Sequence, residues 1–295
     1  MESKKIRKPT HANSWYSGVE ATLSGELEKA LAEGNACKMT EGLAKGVIVP
    51  HAGYRFSLPT AACAFASINP DLYTRIILIG PSHHAYFQGC GLPTCMVYRT
   101  PLGEIEIDEE VVTELGKVKG FTQLEQGVEE EEHSLEMQLP LIKKVFGARA
   151  IKLVPIMAGD VGELLYPSIS FALSRFVADK ESLFVISSDF CHWGLRYKYM
   201  HYDKTKGEIY QSIEDLDRMG MQLIEGHNPE GFIEYLAKYK NTICGRIPIL
   251  LYLFAIAQAK DSGLKTKFVK YAQSNKVVTM KDFSVSYAAA VSYKT

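Results

Sequence analysis

Three polar clusters in this chain carry side chains that could bind a metal ion or move a proton, and each follows a short apolar run. His51 follows Val47-Ile48-Val49-Pro50 and precedes Gly53, which lets the backbone turn sharply. His83 and His84 follow Ile76-Ile77-Leu78-Ile79-Gly80 and a Pro81-Ser82 turn. Asp189 and His192 lie three residues apart in Ser187-Ser188-Asp189-Phe190-Cys191-His192-Trp193-Gly194, directly after Leu183-Phe184-Val185-Ile186. Imidazole suits iron, copper and zinc, so two histidines with a thiolate or carboxylate make a three-ligand site with open positions. Mg²⁺ wants oxygen ligands and does not suit this set. A carboxylate beside an imidazole can fix its tautomer or raise its pKa, as a general base requires. The competing structural roles are a hydrogen-bonded strand-end histidine, a surface-loop histidine pair and a helix-capping aspartate.

Cys244 lies in Asn241-Thr242-Ile243-Cys244-Gly245-Arg246-Ile247-Pro248, just before the most apolar helix candidate. Proline favours the first helical turn, and a thiol near a helix N-terminus and Arg246 is expected to be stabilised as thiolate. Among six cysteines it is the candidate nucleophile or soft ligand, and a hydrolase pairing Cys244 with His192 is a further option. Cys37, Cys63, Cys90, Cys95 and Cys191 read as ordinary core or surface residues. The run Glu129-Glu130-Glu131-Glu132 before His133 and Glu136 is the weakest constellation, because charge runs usually form a solvated face. Arg55, Arg196 and Arg246 adjoin the clusters, and guanidinium groups pair well with phosphate. No glycine-rich turn matches a phosphate loop, and Ser187-Ser188 is not a nucleophile elbow.

These clusters need a scaffold. Short β-branched runs ending in glycine, proline and polar residues read as buried parallel strands, and Ala150 to Ile156, leading into Asp160, is a fourth. Ligands bind beyond the carboxyl ends of strands in open α/β sheets, so strands distant in sequence would bring these side chains to one sheet edge. Helices are expected at Val19–Ala32, Pro59–Ser67, Asp108–Lys117, Glu163–Phe176, Thr205–Glu225 and Pro248–Lys260, with another from about His133 that contains Pro140 near its middle or at a kink. Lys267–Gln273 and Ser284–Ser292 read as strands. The alternation predicts a single α/β domain over 1–295, its central sheet largely parallel and flanked by helices, with antiparallel additions at an edge. Residues 1–9 are expected to be a flexible tail.

A net charge of -1 supplies no global attraction to nucleic acid or anionic membrane. No run approaches the roughly 18 apolar residues of a membrane span, and the polar N-terminus does not read as a signal peptide. The cysteines are scattered without a CxxC pair, which predicts reduced thiols rather than disulfides.

The segments PHAGY (50–54), LIGPSHH (78–84), EHSLEMQLP (132–140), SSDFCHWG (187–194), GEIYQSIEDLDRMGM (207–221), NTICGR (241–246), YAQS (271–274) and THANSWY (10–16) make the chain resemble the Memo proteins, mediators of receptor-tyrosine-kinase-driven cell motility. The likeness runs from about Thr10 to the C-terminus. It implies a fold like that of class III extradiol dioxygenases, with His51, His83 and Cys244 as ligands of an iron or copper ion. By the same resemblance, Asp189 and His192 are catalytic residues of that pocket, and Trp15, Tyr54, His84 and Arg246 serve binding. The dioxygenases hold Fe(II) with two histidines and a carboxylate. Cys244 stands in the carboxylate's place, so ring cleavage does not follow from the fold. The resemblance implies instead a cytoplasmic and nuclear metal-binding signalling protein with copper-dependent redox chemistry, with phosphotyrosine peptides of receptor tyrosine kinases and cytoskeletal regulators as partners. The alternative is a non-catalytic phosphotyrosine-peptide adaptor with a vestigial dioxygenase-like pocket.

Overall fold

In the computed structural model, which describes residues 4–259 and 263–295, the apolar runs become neighbouring strands. The strands are β1 (Ile6–Arg7), β2 (Leu43–Val49), β3 (Arg75–Pro81), β4 (Cys90–Leu92), β5 (Val97–Thr100) and β6 (Gly103–Ile107). They continue with β7 (Phe121–Gln123), β8 (Lys152–Ala158), β9 (Ser182–Ser187), β10 (His192–Trp193), β11 (Leu264–Gln273) and β12 (Ser284–Lys294). Helices α1 (Glu20–Gly34), α2 (Tyr54–Phe65), α3 (Glu109–Leu115), α4 (Gln126–Glu131) and α5 (His133–Glu136) lie in the first half. The second half carries α6 (Leu139–Phe146), α7 (Tyr166–Ala178), α8 (Ile209–Glu225), α9 (Pro229–Tyr239) and α10 (Arg246–Gln258).

The expected largely parallel sheet is present: β6, β8, β3, β9 and β2 lie side by side, each pair parallel. The antiparallel additions are β12 against β2 and β11 against β12. Alternation along the strands splits the core between the two sheet faces. Ile48, Ile77, Ile79 and Ile186 point to the face covered by α7, α8 and α10. Val47, Val49, Leu78 and Val185 point to the face covered by α1, α2 and α6. Register then fixes the site. Val49 pairs with Ser187 and Ile79 with Ile186, so β2, β9 and β3 end level, with β9 in the middle. Among the described residues, no helix is long and apolar enough to cross a membrane.

Three expectations change. The tail ends earlier than residue 9: Ile6–Arg7 pairs with β5 and Arg7 is fully buried, because Glu136 and three backbone carbonyls gather around its guanidinium. Residues 1–3 of that tail, and Lys260 of the expected helix, lie outside the described residues. The helix expected through Pro140 is divided into α5 and α6, with Pro140 in the first turn of α6, where its missing N–H has no intrahelical partner to lose. Cys37 and Cys63 form a disulfide with Cα atoms 5.5 Å apart. No local pattern announces it, because α1 must first pack on α2, where Gly34 leaves no room for a Cβ against the Ala62 backbone. The other four cysteines are free.

Candidate metal centre

At the level strand ends, Pro50 delivers His51 into the interior, where the residue is 2 % exposed. Its backbone N–H donates to Asp189 Oδ1 at 2.8 Å, and Asp189 also accepts from the Ala52 N–H at 3.3 Å. His51 Nδ1 lies 2.8 Å from Ser187 Oγ, and its Nε2 lies 3.1 Å from Cys244 Sγ. Cys244 arrives from the loop before α10, held by the Asp189 N–H at 3.2 Å and by the Gly245 N–H donating to Ser188 Oγ at 3.1 Å. His83, beyond β3, directs Nδ1 at Glu132 Oε1 at 2.9 Å, while its backbone N–H donates to Glu132 Oε2. Ligand atoms of His51, His83 and Cys244 all lie within 4.8 Å of one another. The His51 and His83 rings stand 76° apart, so in-plane lone pairs from both can meet at one point. These residues fit a metal ion.

His83, Glu132 and His133 are gathered as closely. Their geometry differs in the decisive respect. The His83 and His133 rings stack at 4.5 Å and 20°, so their in-plane lone pairs lie in separate, nearly parallel planes and do not meet at one point. Glu132 instead holds His83 from behind, as carboxylates behind metal-binding histidines do. Burial opposes ionisation of Glu132, but the His83 hydrogen bond and the charges of His83 and His133 outweigh it and keep the carboxyl at about 2.

The other titratable groups follow from burial. His51 is held well below the usual imidazole range, by desolvation first and then by His83. His133 is lowered to about 3, by burial and then by His51. Asp189 is raised by burial despite the backbone donors and His192. Burial pushes the Cys244 thiol up and the Asp189 carboxylate adds to it, against the expected low-pKa thiolate. The reason is position: Arg246 is exposed and donates to the Ile243 carbonyl at 3.4 Å rather than facing the sulfur.

Asp189 and His192 share the site but not a hydrogen bond. Asp189 serves the His51 backbone, whereas His192 Nδ1 lies 2.9 Å from the Phe190 carbonyl and 3.1 Å from that of Thr242. Carbonyls only accept, so His192 carries a proton on Nδ1 and leaves Nε2 uncommitted to either carbonyl. It does not touch the Cys244 sulfur, whose imidazole neighbour is His51, and the Cys244–His192 hydrolase pairing therefore lacks its central contact. His83 and Cys244 open onto a cavity of about 320 Å³ that Arg246 and Tyr86 also line. His84 is exposed, its ring 6.0 Å from that of His133. Tyr54 is buried and donates to the Met137 carbonyl at 2.8 Å, so it supports α5 and does not face the ligand atoms.

His133 and its segment are the residues that sequence reasoning undervalued. Trp15 packs on the His133 ring at 4.4 Å, and His51 lies 5.4 Å from it. Glu136 accepts from the His11 backbone and from Tyr16 Oη and pairs with Arg7 and His11 Nδ1, which anchors the THANSWY segment that carries Trp15. The available signal was the polar spacing of Glu132, Ser134, Glu136 and Gln138 beside an apolar helix, hidden inside an apparently solvated charge run.

The family model described as Memo-like protein matches residues 7–291. Protein MEMO1 of Xenopus laevis is 41% identical over 294 residues, covering 98% of both chains. Protein MEMO1 of Homo sapiens is 40% identical over 287 residues and 96% of both chains. A Protein memo-1 homolog of Caenorhabditis elegans is 41% identical over 289 residues, 97% of this chain and 82% of that one. Among solved structures, an uncharacterized protein of Escherichia coli aligns with TM-score 0.50 at 12% identity, over 82% of this chain and 98% of that one, a likeness of fold alone.

Proposed function

Because the chain belongs to the Memo-like protein family, we propose that it is a metal-binding signalling protein whose ion, iron or copper, is held by His51, His83 and Cys244. The observation that carries this reading is the convergence of the three ligand atoms within 4.8 Å. Two imidazole nitrogens and a sulfur form a borderline-to-soft donor set, which favours these ions over hard cations. A bound iron or copper ion would supply redox chemistry at His51, His83 and Cys244.

The chain's own residues do the rest. Asp189 fixes the His51 backbone through two N–H donors. His192, with Nδ1 held by the Phe190 and Thr242 carbonyls, keeps Nε2 as the nitrogen that can exchange a proton. Arg246 stands on the wall of the cavity leading to His83 and Cys244 and can meet an anionic group. Trp15 and His84 flank the approach through His133. Ring cleavage is not part of the proposal, because a thiol replaces the carboxylate ligand. Cytoplasmic and nuclear location and a link to cell motility rest on the family resemblance.

Metal content by plasma mass spectrometry tests the reading, on wild type and Cys244→Ala purified without chelators or a nickel column. Near-stoichiometric iron or copper that the variant loses is the expected result. Wild-type protein that carries neither and refuses added Fe(II) and Cu(I) would overturn it.

A cavity of about 890 Å³ lined by Trp15, Tyr54, Arg55 and Lys29 supports the adaptor as a second reading. Arg55 forms no ion pair among the described residues and is free to meet a phosphate. Calorimetry with a tyrosine peptide in phosphorylated and unphosphorylated forms decides it, equal affinities counting against the adaptor.

A further inference from the structure

The geometry points to Ser187 and Gln138 as positioning residues that dictate which nitrogen of His51 is free to bind. Two backbone carbonyls set the polarity of the network. Ser187 Oγ lies 2.7 Å from the Ser134 carbonyl, which can only accept, so the serine hydrogen is committed there. Gln138 Nε2 lies 3.0 Å from the Pro50 carbonyl, which also can only accept, so the amide orientation is fixed with nitrogen on that side. The same Nε2 donates its second hydrogen to Ser187 Oγ at 2.9 Å. Ser187 Oγ then has one lone pair left, and His51 Nδ1 lies 2.8 Å from it. His51 must therefore be the donor. Its proton resides on Nδ1, and its lone pair resides on Nε2, 3.1 Å from Cys244 Sγ.

Every member is closed to solvent: Ser187, Ser134 and Gln138 are completely buried. Water cannot substitute for a lost partner, and the tautomer has no second arrangement that satisfies both carbonyls. The same short segment directs the other imidazole. Ser134 N–H donates to Glu132 Oε1 at 2.7 Å, the oxygen that receives His83 Nδ1. Residues 132–138 are thus one outer shell for both histidines, which gives EHSLEMQ, unassigned by any ligand role, a function. The consequence for metal binding rests on the proposed ligand set, whereas the tautomer assignment does not.

Long-range ¹H–¹⁵N correlation spectra of histidine-labelled, chelator-treated full-length protein read the tautomer directly. Wild type is expected to show His51 protonated on Nδ1. Ser187→Ala is expected to move the proton to Nε2 and to weaken Zn²⁺ binding by about 10–100-fold in chelator competition. Ser187→Thr keeps the hydroxyl and is expected to restore the Nδ1–H form. A wild type with Nε2–H, or a folded Ser187→Ala in which His51 stays Nδ1–H, would overturn the inference, whatever happens to affinity. Wild type that shows the Nδ1–H form yet binds no Zn²⁺ would leave the tautomer assignment standing and sink the ligand reading instead.

Discussion

Arg7 and Glu136 form an ion pair of 2.8 Å in which both side chains are sealed from solvent, 0% and 1% exposed. Arg7 also donates to the Glu129 carbonyl at 2.9 Å and the Glu132 carbonyl at 3.0 Å. The pair pins the N-terminal strand to the segment that backs the candidate metal centre. Removing one partner leaves a buried charge unmatched, which costs roughly 3–5 kcal/mol. Arg7→Met is therefore expected to lower the urea midpoint strongly. The double variant Arg7→Met/Glu136→Leu should lose less than the sum of the two single variants, since neither charge is then left buried without its partner. Additive losses in the two single variants and the double would disprove coupling.

Glu132→Gln tests the carboxylate behind His83. Glutamine retains the shape but replaces one acceptor oxygen by a donor, so it cannot receive the His83 backbone N–H, His83 Nδ1 and the Ser134 N–H together. Metal affinity should fall by about 10–100-fold with the ligands themselves intact. Competition against a chelator of known affinity measures it, and an unchanged constant would make Glu132 a purely structural residue.

The meeting of His51, His83 and Asp189 was legible in the sequence because strand ends are. β-branched runs at Val47, Ile76 and Leu183 had to be buried strands, and parallel strands align their carboxyl ends, so His51, His83 and Asp189 met at one edge. What supports them was not legible. Glu132 and Glu136 sit in a run of charges that burial and two imidazoles convert from a solvated face into a hydrogen-bonded wall. Ser187 looked like a strand terminus and Gln138 like a helix residue, and only their meeting across 49 residues makes a network. Arg7 and the Cys37–Cys63 pair depend on packing partners far away in the chain, which no local period announces.

Cys37 and Cys63, separated by 26 residues, close a loop that holds β2 and most of α2. Chain entropy in the unfolded state assigns such a link roughly 3–4 kcal/mol. Alkylation of denatured, unreduced protein should modify four thiols, those of Cys90, Cys95, Cys191 and Cys244, and reduction should lower the melting temperature. Six reactive thiols before reduction would refute the bond.

Asp217 gives the pH dependence its sign. Its carboxylate accepts from Asn241 at 2.9 Å, Tyr271 at 2.9 Å and the Cys191 N–H at 3.2 Å. The titratable groups around it are Cys191, Tyr199, Tyr235 and Tyr271, with no cation among them. Burial pushes its carboxyl from the ordinary 3.8 up to about 6. Below the lower value both folded and unfolded chains hold the proton and nothing is lost. As pH rises through the upper value the folded state must ionise a buried group, and roughly 3 kcal/mol of stability disappears. Asp217→Asn removes this slope, so the variant should gain on wild type in urea midpoint between pH 4.5 and pH 8. A difference that is constant with pH would mean that Asp217 titrates normally.

Gly245 couples packing to the candidate metal centre. A Cβ at this position would meet Ser188 Oγ at 2.5 Å and the Ser187 carbonyl at 2.6 Å, backbone and side chain with nowhere to move. The same glycine donates its N–H to Ser188 Oγ, and the preceding residue is Cys244. Gly245→Ala must therefore push the loop before α10 away from β9 and carry the sulfur with it. Overpacking of this kind costs about 1–3 kcal/mol, and the displaced thiol should weaken metal binding in parallel. Gly127 in α4 is the control, because a Cβ there meets nothing within 4 Å. Gly127→Ala should leave metal binding unchanged and raise stability by up to about 1 kcal/mol, the helix preference of alanine over glycine. If Gly245→Ala melts lower but binds metal as wild type does, the loop yields without moving Cys244, and close packing at this glycine does not set the position of the sulfur.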